Sequence, residues 1–125
     1  MKAHLRNAYF VAKQYDLACS DLPKAIDFHT SYLKSAYLKY SAAFVEARQY
    51  DKSIEVLTNL LKIYPGYPLA YYNRAIVYMY LEKWEAAVAD WDKYLSLDLE
   101  DKYKNNKEAI AARDQCMLKI KGATQ

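Results

Sequence analysis

The chain has 125 residues, 54% of them hydrophobic, and a net charge of +3 from 18 Lys+Arg against 15 Asp+Glu. That length fits one domain with a single core, and so small and evenly spread a charge excess is too little to argue for nucleic acid, so no nucleic-acid partner is expected. Two glycines and three prolines are too few for an all-β fold with a turn every ten residues or so, and no run of about eighteen apolar residues occurs, so helices and no membrane insertion are expected.

The opening Met1-Lys2-Ala3-His4-Leu5-Arg6 is basic, but the apolar run from Ala8 to Ala12 stops at Lys13, short of a signal-peptide core, and a cytoplasmic location is expected. Residues 1–33 are read as an irregular first helical hairpin. Leu5, Tyr9, Tyr15, Ala18, Leu22, Ala25 and Ile26 carry its apolar positions, the break falls near Ser20-Asp21, and Pro23 sits in the first turn of the next helix. His29-Thr30-Ser31 is a weak breaker, and Tyr32 to Phe44 reads as helix, so the turn between Phe28 and Lys34 has no clear position.

Residues 34–67 and 68–101, written as two rows at a spacing of 34, place like over like. Tyr37 falls over Tyr71, Phe44 over Tyr78, Tyr50 over Trp84, Asp51 over Glu85, Leu57 over Trp91, Leu61 over Leu95 and Ile63 over Leu97. Each row divides into two helical stretches, broken at Arg48-Gln49 in the first row and at Glu82-Lys83 in the second. Between the rows, Tyr64-Pro65-Gly66-Tyr67-Pro68 must end one helix and can open the next.

Residues 102–121 form the last expected element, a helix from Tyr103 to Lys121 whose stripe of Tyr103, Ile110, Met117 and Ile120 can cover the hairpin before it; 122–125 are expected to be a disordered tail. Cys19 and Cys116 have no Cys or His at metal-ligand spacing, so both are expected as buried free thiols, a disulfide between them being the alternative that nothing in the sequence supports.

The two rows resemble the tetratricopeptide repeat (TPR), whose 34-residue unit is a helical hairpin with aromatic and small residues at fixed places. Tyr71, Ala75, Tyr78, Trp84, Ala87, Trp91 and Leu95 match it in one row, and Tyr37, Ser41, Phe44, Tyr50, Ser53, Leu57, Leu61 and Pro65 in the other. Arg74 and Tyr40 stand where the family has Leu, Leu60 and Tyr94 where it has a second Ala, and Leu99 where it has a closing Pro; Arg74 puts the local packing in question. The resemblance implies an all-α, right-handed superhelical array of antiparallel helix pairs, about three hairpins with residues 102–121 as a cap.

The same resemblance implies a concave face lined by the first helix of each hairpin. Its residues would be Leu38, Lys39, Ala42, Val45 and Glu46 from one repeat and Tyr72, Asn73, Ile76, Met79 and Tyr80 from the next, with His4, Asn7, Phe10 and Val11 from the first hairpin. Such a surface is apolar and aromatic and suits an apolar or amphipathic peptide segment. One branch of the family grips a C-terminal carboxylate with Lys, Asn and Arg, but Leu38, Ala42 and Leu69 occupy places where polar partners are needed.

No catalytic constellation is present: His4 and His29 are far apart, there is no Gly-rich phosphate loop, and Asp90 and Asp92 read as solvated charge on different faces of one helix. The chain is therefore expected to be a non-enzymatic protein-interaction module without cofactor or metal, an adaptor or co-chaperone. A structural subunit that self-associates into a homo-oligomer and a regulatory domain of an enzyme complex are the alternatives.

Overall fold

The computed structural model describes the backbone of residues 27–97 and 106–123, with side chains for 31–97 and 106–122. The expected first hairpin up to residue 26, with Cys19 and Pro23, lies outside the described residues, as does Tyr103. Among the described residues every element is helical: α1 Asp27–Glu46, α2 Tyr50–Ile63, α3 Pro68–Tyr80, α4 Trp84–Leu97 and α5 Asn106–Ala123. They fall into two compact units, the first ending at Val56 and the second beginning at Leu57, inside α2.

Two joints share one backbone design. After α1, Arg48 N–H donates to the Val45 carbonyl at 2.9 Å and Gln49 N–H to that of Phe44 at 2.8 Å; after α3, Glu82 N–H donates to Met79 at 3.0 Å and Lys83 N–H to Tyr78 at 2.9 Å. These bonds satisfy the last carbonyls of each helix in the Schellman arrangement, which needs a left-handed residue just past the helix end. Arg48 (φ 59°) and Glu82 (φ 57°) supply it, so both expected breaks fall where the sequence put them. Asp51 and Glu85 then occupy the first turns of α2 and α4, where a carboxylate complements the helix dipole.

The first unit's described part is α1 and the opening of α2. Leu33, Ala36, Tyr37, Tyr40, Ala43 and Phe44 are buried at the three- and four-residue intervals that keep one helix face inward. The Tyr40 and Phe44 rings pack tilted at 43° with centroids 4.5 Å apart, and the Lys52 ammonium lies 5.8 Å from the Phe44 ring centroid. Ser41 and Ser53, both buried, bring α1 and α2 close, and Ser53 Oγ donates to the Ser41 carbonyl at 3.0 Å.

The 20 residues of α1 run without interruption through the 28–34 stretch, where a turn was expected, so the boundary at residue 34 falls inside a helix. The reason lies in what the stretch lacks. The 13-residue α3 has Pro68 in its first turn and Pro65-Gly66 just before it, whereas Ser31, Tyr32 and Lys34 at the corresponding places can all continue a helix.

In the second unit, α3, α4 and α5 pack around Ala75, Ala87, Trp91, Tyr94, Ala109 and Cys116. Tyr71 Oη donates to the Pro65 carbonyl at 2.8 Å and ties the turn before α3 to that helix. Ala75 and Ala87 are fully buried and let α3 and α4 approach, the part Ser41 and Ser53 play in the first unit.

The inward face of α5 differs from the expected stripe. Ala109 and Cys116 are buried and Ala112 packs against the same core, whereas Ile110 and Met117 are exposed and Ile120 is half-buried. The rings of Trp91 and Tyr94 already fill the space in front of α5, so small side chains must face them. The helix also continues through Gly122 and Ala123, which were expected in the tail.

Candidate functional site

In the first unit, Leu38, Lys39, Ala42, Val45 and Glu46 share one side of α1, opposite its buried stripe. Lys39, Ala42 and Glu46 are exposed, while Leu38 and Val45 are half-buried. His4, Asn7, Phe10 and Val11 lie outside the described residues.

The α3 residues divide. Tyr80 is 57% exposed, and Asn73 is partly accessible. Tyr72, Ile76 and Met79 instead pack against the core of the second unit. The Tyr72 ring meets Trp91 edge-on at 5.0 Å and Tyr94 at 5.1 Å, a geometry aromatic quadrupoles favour. Burial raises the pKa of its phenol, and the Glu108 carboxylate on α5 raises it further. Tyr72 is therefore a wedge that α3 sets between α4 and α5.

The second unit also holds a polar cluster whose role the sequence did not reveal. Arg74 Nε donates to Asp90 Oδ2 at 2.7 Å, Nη2 to Oδ1 at 2.8 Å, and Nη1 to Thr58 Oγ1 at 3.1 Å. The guanidinium also lies 5.7 Å from the Tyr71 ring and 5.8 Å from that of Tyr78, within the range of cation–π attraction. Asp90 is buried, so reading it with Asp92 as solvated charge is corrected; Asp92 is exposed and takes a 3.2 Å bond from Arg113 of α5.

Burial pushes the Asp90 carboxyl up, and the hydrogen bonds and charge of Arg74 offset only part of that rise; the hydrogen bond to Asp90 is the main reason Arg74 holds its proton more tightly. The cluster is a clamp that fastens α3 to α2 and α4. The signal for it was the misfit itself: a charged residue in an apolar place requires a buried partner of opposite sign.

Cys116 is a buried free thiol, as expected. Its pKa is raised by desolvation, a shift that the neighbouring Trp91 indole partly opposes. The Trp91 indole nitrogen is itself buried without an oxygen or nitrogen acceptor. Among the described residues no group of three or more His, Cys, Asp or Glu could hold a metal ion, and no helix is long and apolar enough to cross a membrane.

No protein-family model matches the chain. One curated relative does. The DnaJ homolog subfamily C member 7 homolog of Dictyostelium discoideum is 34% identical over 118 residues, an alignment that takes in 90% of this chain and 22% of the relative. The chain thus corresponds to about a fifth of the DnaJ homologue's length.

Proposed function

We propose that the chain is a tetratricopeptide-repeat domain that binds an apolar or amphipathic segment of another protein, in the service of a chaperone system, and catalyses nothing. The observation that carries the reading is the helical joint that recurs at Arg48 and Glu82 with the same hydrogen bonds, 34 residues apart. Side chains and backbone repeat with one period, which is what stacking of hairpins requires. Similarity to a protein named as a DnaJ homologue supports a co-chaperone setting, which fits a cytoplasmic location.

On this reading each unit offers its own ligand-facing residues, Leu38, Lys39, Ala42 and Val45 of α1 in the first and Asn73 and Tyr80 of α3, beside Tyr72, Ile76 and Met79, in the second. The lining is apolar with a few polar groups able to meet a peptide backbone.

The reading is tested by selecting displayed random peptides on the wild-type chain and measuring the winners against Ala42→Glu and Tyr80→Glu, whose positions are exposed. Enriched peptides should carry two or more apolar side chains and lose roughly tenfold or more in affinity, about 1.4 kcal/mol, on either variant. Failure to enrich any sequence, or equal binding to wild type and both variants, would remove the groove from consideration.

A further inference from the structure

Six large hydrophobic side chains among the described residues are exposed, and three of them, Ile110, Met117 and Leu118, lie on α5. Leu118 is the most exposed of the six at 70%, and Met117 beside it is 44% exposed. Asp114 and Lys121, also exposed, flank them one turn to either side. Positions 114, 117, 118 and 121 recur at the three- and four-residue intervals of a single helix face, so the pattern is an apolar centre between an acidic and a basic end.

That pattern is complementary to itself when reversed. If two copies of α5 meet antiparallel about a twofold axis between residues 117 and 118, Met117 opposes Leu118 of the other copy twice, and Asp114 opposes Lys121 twice. A parallel pair in register would instead set Asp114 against Asp114 and Lys121 against Lys121. We propose that the outer face of α5 is a self-association surface that pairs antiparallel with a second copy of this chain, through an isologous seam of this kind.

The side chains leave room for the contact. The Arg113–Asp114 pair on α5 is long, 3.5 Å, and leaves the carboxylate able to accept further bonds. Lys121 has an interaction within its own chain, but an ammonium carries three donors. The inward residues Ala109, Ala112 and Cys116 are on the other side of the helix and need not move. An 18-residue helix gives a seam about 27 Å long, short beside standard interfaces, so the dimer should be weak and appear at high protein concentration. The inference does not depend on the peptide-groove reading, which concerns α1 and α3.

The test is sedimentation equilibrium of the full chain from about 10 μM to about 1 mM, where mass action reveals a weak dimer. Four variants are compared with wild type: Leu118→Lys, Asp114→Lys, Lys121→Asp, and the double exchange Asp114→Lys/Lys121→Asp. Circular dichroism should show unchanged helicity, because these positions are exposed. The expected result is a wild-type dimer weakened roughly tenfold or more by each single change and restored by the double exchange. Restoration is specific to the antiparallel register, since both new pairs form between copies. A monomer at every concentration, a dimer indifferent to Leu118→Lys, or a double exchange no better than the singles would each overturn the proposal.

Discussion

Arg74 of α3 and Asp90 of α4 are joined by two near-parallel hydrogen bonds, at 2.7 and 2.8 Å, with Asp90 buried and Arg74 largely so. A bidentate pair of this kind fixes the rotation of one helix against the other, because the fork-shaped donor meets the carboxylate in one orientation. Removing one partner leaves the other charge buried and uncompensated. Asp90→Ala should therefore cost about 3 kcal/mol, whereas Arg74→Leu combined with Asp90→Ala should recover most of that loss. Urea denaturation of the two singles and the double measures the coupling; a double variant that loses the sum of the singles would show the two residues to be independent.

The sequence carried the hairpins because large apolar residues and polar breaks recur in one phase, and Arg48 and Glu82 take the same backbone conformation where the breaks were read. Two features of the helices were not legible. The helical continuation through 28–34 depends on the absence of a strong stop, which periodicity registers poorly when Thr30 and Ser31 suit a turn as well as a helix. The inward face of α5 depends on Trp91 and Tyr94 across from it, and a rule that turns large side chains inward selects Ile110 and Met117 instead. For the same reason Tyr72 and Ile76 could not be told from free lining residues until their neighbours were placed.

The joints offer a direct test of backbone strain. An L residue with a side chain in the left-handed region is disfavoured by about 1 kcal/mol or more, a penalty that glycine avoids. Arg48→Gly and Glu82→Gly should each stabilise the chain by roughly 0.5–1 kcal/mol, after allowing for the greater freedom of glycine in the unfolded state. The two gains should add, since the joints share no residue. Thermal denaturation of the singles and the double decides the matter: unchanged or lower midpoints would mean that the Arg48 and Glu82 side chains contribute more than their backbone strain costs.

Ser53 fills a place where α1 and α2 nearly touch, and its hydroxyl donates to the Ser41 carbonyl at 3.0 Å. Ser53→Ala, the residue type found 34 positions later at Ala87, should cost only about 1 kcal/mol, the worth of one hydrogen bond. Ser53→Leu should cost more, roughly 2–3 kcal/mol, because a fully buried site must expand to take it. Comparable losses for the two variants in chemical denaturation would show that the hydroxyl, rather than close helix approach, sets the requirement at this position.

Alkaline pH should loosen the second unit from within. Burial raises the pKa of Cys116 above 9.0 and that of Tyr72 above 10.0, so the folded chain keeps protons that the unfolded chain gives up. A group whose folded pKa is raised contributes stability that is whole below its unfolded pKa and lost as pH climbs through the folded one. Unfolding free energy should thus fall progressively above about pH 9, first through Cys116 and then through Tyr72. Tyr72→Phe keeps the ring contacts with Trp91 and Tyr94 but removes the ionisable hydroxyl, and Cys116→Ala removes the thiol. Urea titrations at intervals from pH 7 to beyond pH 10 should show a shallower decline for the double variant than for wild type. Parallel curves would show that neither Cys116 nor Tyr72 carries the alkaline sensitivity.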